Sequence, residues 1–193
     1  QEIIRRYYHA RCDQKQGRLD EAAVYKVELL MNQASVSTKD RAVASAALER
    51  AEKTGLPASA IELPDGRVIT GKTSPLLGAS AAVLLNALKA LGGIQHDILL
   101  ISPIIIEPIQ NLKIKHLGNH NPRLHSDEVL IALCISAATN PTAELALKQL
   151  AKLKGCEAHS SVILSQVDDS VFRKLGMNLT CEARYQSQKL YHK

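Results

Sequence analysis

Aromatic side chains are scarce in this sequence, which has five tyrosines, one phenylalanine and no tryptophan among 193 residues. Proteins that bind single-stranded nucleic acids use aromatic stacking platforms together with clustered positive charge. The net charge here is a mild +5, with 24 basic and 19 acidic residues distributed along the chain. The composition therefore predicts no nucleic-acid partner and a core built from aliphatic side chains.

Closely spaced cysteine pairs are also missing. The chain has four cysteines: Cys12, Cys134, Cys156 and Cys181. Their wide spacing excludes a CxxC motif and is typical of free thiols in a reducing compartment, not of a disulfide framework or a thiolate zinc site. We therefore expect a cytoplasmic protein without a metal or another cofactor. Cys134 lies in the apolar run LIALCI at 130–135 and is predicted to be a core residue.

An apolar run of membrane-spanning length is missing as well. The longest apolar stretch, 76–94, contains Asn86 and Lys89 and many small residues. A transmembrane helix needs about 20 predominantly apolar residues, so this stretch predicts a buried helix and no membrane partner. The chain opens QEIIRRYY without an initiator Met, and we expect it to be part of a longer protein.

Residues 1–56 are predicted to form a small helical subdomain of three helices. The first helix covers 2–16, and the second follows Asp20, a favourable N-cap residue. The third begins at Ser37, with Asp40 completing a variant of the capping box, and ends at Gly55. These helices can bury their apolar faces against each other or against a preceding part of the protein.

Residues 57–193 are predicted to form an α/β domain. Two short β-branched segments flank Pro64-Asp65-Gly66 and indicate a hairpin, and the apolar run Asp97–Ile101 is typical of a central strand buried on both faces. Further strands are expected at 159–164 and 179–183, and helices at 75–91, 103–116, 127–139, 142–153 and 168–175. This order predicts a three-layer α/β/α domain with a mixed sheet.

The polar corner Gly71–Pro75 is the first candidate site. If the helix begins at Pro75, then Lys72, Thr73 and Ser74 lie beside a helix N-terminus, where backbone N–H groups and the helix dipole favour anions. The segment GRVITGKT at 66–73 also matches the Walker A pattern literally. A true phosphate loop needs glycines and unusual dihedral angles, whereas β-branched residues here prefer extended backbone. Simple capping by Thr73 or Ser74 is the alternative.

The segment HLGNHNPRLHSDE at 116–128 is the second candidate, since it combines three histidines with acids and amides. A polar ligand-binding loop that includes Arg123 and His125 is one interpretation. Metal binding is another, although no HExxH motif occurs and Gly118 and Pro122 interrupt the segment. A third interpretation is that one helix ends and the next begins in this segment, with Asn and Ser residues as their caps. Ser102 and Glu107 form a third candidate pair, because ligands bind at the carboxyl ends of strands in open α/β sheets.

Four long segments carry a resemblance to a known family: LPDGRVITGKTSPLLGASAA, HLGNHNPRL, DEVLIALCISAATNPTAELAL and GCEAHSSVILSQVDDSVFRKLG. Together they resemble the C-terminal half of an uncharacterised bacterial protein family, a domain of unknown function. The resemblance implies a helical subdomain followed by an α/β subdomain, and a separate N-terminal α/β region in longer members. Some members are labelled ATP-dependent peptidases, a label that the residues of this chain do not support.

The predicted order of elements is also similar to the cytidine-deaminase architecture. That family places His-x-Glu after the hairpin and Pro-Cys-x-x-Cys after the third strand. Here Lys72-Thr73-Ser74 and Ser102–Ile106 occupy those places. The resemblance therefore implies an architecture without zinc-dependent deamination.

Taken with the polar segments, the sequence favours a domain that binds a small anionic metabolite, a nucleotide or a phosphorylated compound, within an enzyme of unknown reaction. Lys72, Thr73 and Ser74 would hold the anion, and Arg123 and His125 would approach from the second segment. The rival hypothesis is a structural role in a homo-oligomer, with 1–55 and the small residues Gly78–Ala82 forming a subunit interface.

Overall fold

The computed structural model describes residues 1–186, which fold into eight α-helices and four strands. In chain order these are α1 (Glu2–Lys15), α2 (Glu21–Gln33), α3 (Ala42–Thr54), β1 (Ala58–Glu62), β2 (Val68–Lys72), α4 (Ala79–Gly92), α5 (Pro103–Lys115), α6 (Ser126–Ala137), α7 (Pro141–Leu147), β3 (Glu157–Ser160), α8 (Gln166–Lys174) and β4 (Asn178–Cys181). Two short 3-10 helices occupy Thr38–Asp40 and Leu150–Leu153. Within residues 1–186, every helix is too short or too polar to cross a membrane.

The four strands form one mixed sheet in the order β2-β1-β3-β4. β1 runs antiparallel to both β2 and β3, whereas β3 and β4 are parallel. As a result β2, β3 and β4 all end on the side of the sheet where β1 begins, and we call this the strand-end side. The predicted hairpin and the α/β class with a mixed sheet are confirmed.

Helices cover both faces of the sheet because successive strand side chains point to opposite faces. On one face, Val43 and Ala47 of α3 pack against Ala60 of β1, and α1 contacts β4. On the other face, Ile61 of β1 and Leu179 of β4 belong to the main core, to which α4, α6, α7 and α8 contribute. The N-terminal helices α1 and α3 precede the sheet in the chain and form the layer that covers the first of these two faces. The division into domains 1–56 and 57–193 stays a prediction.

A fully buried arginine ties these layers together. Arg41 precedes α3, and its Nε donates to Thr180 Oγ1 at 2.9 Å. One terminal nitrogen donates to the backbone oxygens of Ala158 and Asn178, both at 2.9 Å. The other terminal nitrogen pairs with the carboxylate of Glu157. A buried guanidinium is tolerated only when its donors are satisfied in this way.

The predicted central strand at 97–101 is wrong, because these residues form a loop. Leu100 and Ile101 are 2% and 4% exposed and fill the main core, whereas Leu99 is 63% exposed. The loop thus buries two apolar side chains without joining the sheet. Since the cytidine-deaminase likeness relied on a strand here, that architecture is not shown, and Ser102 and Glu107 do not follow a strand.

The start predicted for the helix after the hairpin is also wrong, since α4 begins at Ala79 and not at Pro75. The hydroxyl of Ser74 accepts hydrogen bonds from the N–H groups of Leu76 (3.3 Å) and Leu77 (3.0 Å) and stabilises a turn. Leu77 then forms a bridge with Leu124. The corner at 72–74 therefore precedes a turn instead of a helix N-terminus.

The small residues at the start of α4 pack inward. Ala79, Ser80 and Ala81 are at most 5% exposed. Next to them, a Cβ added to Gly71 of β2 would lie only 2.2 Å from the backbone nitrogen of Val83. Small residues thus let α4 approach the sheet, and this stretch is not free to form the predicted subunit interface.

Candidate functional site

A cavity of about 770 Å³ opens on the strand-end side of the sheet. Its wall includes parts of α1, the segment before α6, the N-terminal turn of α4, and the segment from 162 into α8. The residues that matter for the argument below are Thr73, Ala79, Ser80, Arg123, His125 and Asp168. Ligands of α/β proteins characteristically bind in crevices at the carboxyl ends of strands, and we call this space the strand-end cavity.

The N-terminus of α4 faces the cavity without a side-chain cap. Its N-cap residue is Gly78, which has no side chain to offer. Within residues 1–186, the N–H groups of Ala79 and Ser80 have no hydrogen-bond acceptor. In α8, by contrast, the hydroxyl of the N-cap residue Ser165 accepts from the N–H of Asp168. The first turn of α4 therefore presents unused donors at the positive end of a helix dipole.

Two buried hydroxyl groups lie beside these donors. Thr73 and Ser80 are only 3% and 2% exposed, and both line the cavity. Neither hydroxyl forms a hydrogen bond within residues 1–186, and neither oxygen is among the fully enclosed unpartnered atoms of these residues, so both reach the cavity. Two hydroxyls that line the same cavity without a protein partner are therefore available to a ligand.

Arg123 brings positive charge to the same wall. Its Nε donates to the backbone oxygen of Ser74 at 2.8 Å, which anchors the side chain. Two other cavity arginines are already paired with carboxylates, Arg18 with Asp13 and Arg173 with Asp169. No carboxylate within residues 1–186 lies within ion-pair distance of Arg123. The charge of Arg123 is thus available to a ligand.

His125 and Asp168 form a hydrogen-bonded pair at the cavity wall. His125 is the N-cap residue of α6, and its Nδ1 lies 2.9 Å from Oδ2 of Asp168 on α8. The buried carboxylate also accepts from the N–H (2.8 Å) and hydroxyl (2.6 Å) of Ser126, and from the hydroxyl of Ser165 at 2.8 Å. These hydrogen bonds hold the carboxylate of Asp168 in one orientation, and the carboxylate in turn orients the imidazole of His125.

The pair perturbs the pKa of both groups. Burial disfavours the charged form of Asp168, but hydrogen bonds from His125 and Ser126 outweigh this effect and hold its pKa well below the usual value. The hydrogen bond with Asp168 raises the pKa of His125 above its usual value, although burial opposes the change. Asp168 is consequently an anion and His125 is biased toward the imidazolium form at neutral pH.

The nearby Ser165 is not arranged as a nucleophile. Its hydroxyl donates to Asp168 and lies 3.5 Å from Nδ1 of His125, the nitrogen that already faces the carboxylate. In a Ser-His-Asp triad the serine and the aspartate bind opposite nitrogens of the imidazole. The geometry here instead leaves Nε2 of His125 without a partner within residues 1–186.

The structure brings only part of the predicted site together. Thr73, Arg123 and His125 line the strand-end cavity. The segments that contain them are adjacent, because the N–H of Gly78 donates to the backbone oxygen of Leu124 at 3.2 Å. The remaining predicted residues, Lys72, Ser74, Ser102 and Glu107, do not line the cavity. Ser74 contributes indirectly through its contact with Arg123, and Ser102 caps α5.

The literal Walker A match does not form a phosphate loop. Residues 66–73 contain the last residue of the hairpin turn followed by β2, so Val68 to Lys72 are extended and pair with β1. This outcome agrees with the extended preference of the β-branched residues. The lysine of the motif therefore lies on a strand, outside any nest of backbone N–H groups.

Two residues of the site escaped the sequence analysis. Ser80 was missed because the start of α4 was placed too early, and the glycine before Ala79 was the signal of an uncapped helix start. Asp168 was assigned only to a helix terminus. The spacing of Ser165 and Asp168 is a capping signal, but their contacts with His125 span 40 and 43 positions and leave no local trace in the sequence.

The fold and site can now be compared with known proteins. Residues 39–191 match the family model described as "Domain of unknown function DUF1846, C-terminal". The chain belongs to this family. It is 55% identical over all 193 residues to UPF0371 proteins of Streptococcus pyogenes serotypes M5 and M28, and 54% identical to one of Corynebacterium urealyticum. The resemblance to an uncharacterised bacterial family is thereby confirmed.

The relatives of this DUF1846 domain are considerably longer proteins. The chain spans 39% of the length of each of the three relatives named above.

Proposed function

We propose that this DUF1846 domain binds a small anionic compound, a nucleotide or a phosphorylated metabolite, in the strand-end cavity. The observation that carries the proposal is the set of four unused donors at one place: the N–H groups of Ala79 and Ser80 and the hydroxyls of Thr73 and Ser80. The oxygens of a bound phosphate would accept hydrogen bonds from these donors.

The charge around the donors favours an anion over a neutral ligand. The positive end of the α4 dipole and the unpaired guanidinium of Arg123 both border the cavity. Helix N-termini with free N–H groups are established binding places for phosphate groups. Lys72, Ser74, Ser102 and Glu107 remain proposed ligand contacts from the sequence analysis, and the experiment below tests the first of them.

The size of the cavity favours a compound larger than free phosphate. Small-molecule sites have volumes of about 300–1,000 Å³, and the strand-end cavity falls in this range at about 770 Å³. A phosphate at the N-terminus of α4 would fill one corner only. The remaining space would accommodate a nucleoside or a sugar attached to the phosphate.

Isothermal titration calorimetry with nucleotides, sugar phosphates and inorganic phosphate tests the proposal. We expect Ser80→Ala and Arg123→Gln to weaken the binding of the phosphorylated ligand about ten- to hundredfold, since hydrogen bonds to charged groups contribute about 1.5–3 kcal/mol. Lys72→Ala is the comparison variant, because Lys72 is a proposed contact from the sequence that does not line the cavity. If Lys72→Ala weakens binding and Ser80→Ala does not, the anion lies at the sequence-predicted corner. If no phosphorylated compound binds, the proposal is wrong.

An oligomerisation role is the second candidate, and one exposed stripe favours it. Ile131 and Ile135 of α6 are 60% and 59% exposed, and Cys134 between them is exposed as well. Positions i, i+3 and i+4 share one helix face, and clustered exposed apolar side chains mark interaction surfaces. Light scattering should show an oligomer that Ile131→Lys converts to a monomer. A monomeric wild-type protein would remove this candidate.

Cellular location and the remaining part of the protein are also matters of proposal. We propose that the domain is cytoplasmic, because its four cysteines are all free thiols and such thiols are typical of reducing compartments. We propose further that the additional residues of the longer relatives complete an enzyme around the strand-end cavity. Fluorescence microscopy of a tagged full-length relative in its own bacterium would test the location.

A further inference from the structure

We propose that His125 is a catalytic residue that donates a proton from Nε2 to the leaving oxygen of a phosphate ester bound in the strand-end cavity. Asp168 is its positioning residue. This inference rests on the proposed anion site, because the N-terminus of α4 would hold the phosphate while His125 acts on the ester oxygen. It assigns a hydrolytic reaction to a domain whose reaction is unknown.

The fixed carboxylate determines which nitrogen of His125 faces the ligand. Both oxygens of Asp168 are occupied, Oδ1 by Ser126 and Oδ2 by Ser165 and His125. A carboxylate only accepts hydrogen bonds, so Nδ1 of His125 carries a proton and donates it to Oδ2. The ring lines the cavity and its side chain is 24% exposed. Nε2 is therefore the nitrogen left for a substrate.

The charges that face His125 come from three helices. Asp168 lies on α8, Lys113 on α5 and Glu128 on α6. Lys113 and Glu128 neutralise each other, since Nζ lies 2.6 Å from Oε2. Asp168 therefore has the largest effect on His125, and its hydrogen bond raises the pKa of the imidazole. An imidazolium suits the role of general acid better than that of base or nucleophile.

The reaction balances with water as the only co-reactant. The oxygen of a water molecule bonds to phosphorus, and the bond between phosphorus and the alcohol oxygen breaks. The proton on Nε2 of His125 passes to that alcohol oxygen. The proton lost by the water returns to Nε2. The donors at α4 and the guanidinium of Arg123 would stabilise the charge on the phosphoryl oxygens during transfer.

Two probe esters separate acid catalysis from simple binding. 4-Nitrophenyl phosphate releases a good leaving group that needs little protonation, whereas phenyl phosphate releases a poor one. We expect His125→Gln to lower kcat for phenyl phosphate about a hundredfold or more, the usual contribution of a general acid. The loss for 4-nitrophenyl phosphate should be much smaller. Ser80→Ala should instead raise KM for both esters alike.

His9→Gln is the matched control. The ring of His9 also lines the cavity, but its Nε2 is bonded to the backbone oxygen of Leu179 at 2.9 Å. Its removal should leave kcat for both esters unchanged. The rate should fall at alkaline pH as His125 loses its proton. Asp168→Asn should move this fall to lower pH, because the amide no longer stabilises the imidazolium. Unfolding curves of all variants check that they are folded.

The outcomes distinguish this inference from the proposed function. Equal losses on both esters after His125→Gln would overturn the role as acid. Binding of inorganic phosphate by the wild type in calorimetry, without hydrolysis of either ester, would also overturn it and leave the anion site standing. Failure to bind inorganic phosphate and every phosphorylated compound would overturn both.

Discussion

Gly71 on β2 and Val83 on α4 meet backbone to backbone. A Cβ added to Gly71 would lie 2.2 Å from the backbone nitrogen of Val83 and 2.6 Å from its Cα. Real side chains do not tolerate such distances, so the strand and the helix can approach this closely only at a glycine. This contact places α4 over the sheet and brings its N-terminus to the strand-end cavity.

Gly71→Ala should therefore destabilise the domain. The added methyl group meets backbone atoms that cannot rotate away, and overpacking typically costs about 1–3 kcal/mol. Urea unfolding measures the change. Gly78→Ala is the control, because its Cβ would lie at an ordinary 3.7 Å from the backbone oxygen of Leu124. Equal stability losses in the two variants would contradict the close-contact explanation.

Replacement of Arg41 should be more costly than replacement of an exposed arginine. Arg41→Met removes one of the two arginine partners of Glu157 and the guanidinium donors to two backbone oxygens, and breaking a buried pair costs about 3–5 kcal/mol. Arg67→Met is the comparison, since the Arg67–Asp65 pair is exposed and such pairs contribute little to stability. Similar unfolding midpoints for both variants would refute the role assigned to Arg41.

The His125–Asp168 pair should make stability depend on pH in a defined direction. The folded-state pKa of His125 is raised by its hydrogen bond with Asp168. Its contribution to stability is therefore complete below about pH 6.5 and is lost as the pH rises through the raised value. The difference in the free energy of unfolding between wild type and His125→Gln should therefore shrink as the pH rises above about 6.5. In an Asp168→Asn background this trend should be absent.

The cysteines should differ sharply in reactivity toward a thiol reagent. Burial raises the pKa of Cys12 to about 12 and also raises the pKa values of Cys156 and Cys181. Cys134 is exposed on α6. Because accessible thiols react first, the folded protein should show one fast thiol, which Cys134→Ser removes and Cys156→Ser retains. Two or more fast thiols in the wild type would disagree with the raised pKa values of the other three.

The sequence predicted those features that depend on neighbouring residues. Asp20 caps its helix as expected, because capping is decided within one turn. Gly55 ends α3 with a φ of +65°, which glycine adopts without strain. The hairpin around Pro64-Asp65-Gly66 is correct for the same reason. Local chemistry was sufficient in each case.

Features that depend on distant contacts were predicted poorly. The apolar run 97–101 has the composition of a buried strand, and a short run of this kind does not reveal whether it joins a sheet. Cys134 was expected in the core because it lies in an apolar run of α6. Only one side of this helix is buried, however, and Cys134 lies on the other side. Prediction of the candidate site was limited in the same way. Thr73 and Arg123 were recognised, but Asp168, which lies 43 positions from His125 in the sequence, was not.

The contacts of Arg41 also constrain how the chain folds as it is synthesised. Its acceptors at Asn178 and Thr180 lie 137 and 139 positions downstream. A chain leaving the ribosome exposes Arg41 well before β4, so the guanidinium stays in water until β4 has emerged. Loop closure over such distances is entropically costly and slow. The first helices consequently dock completely on the sheet only after β4 is available.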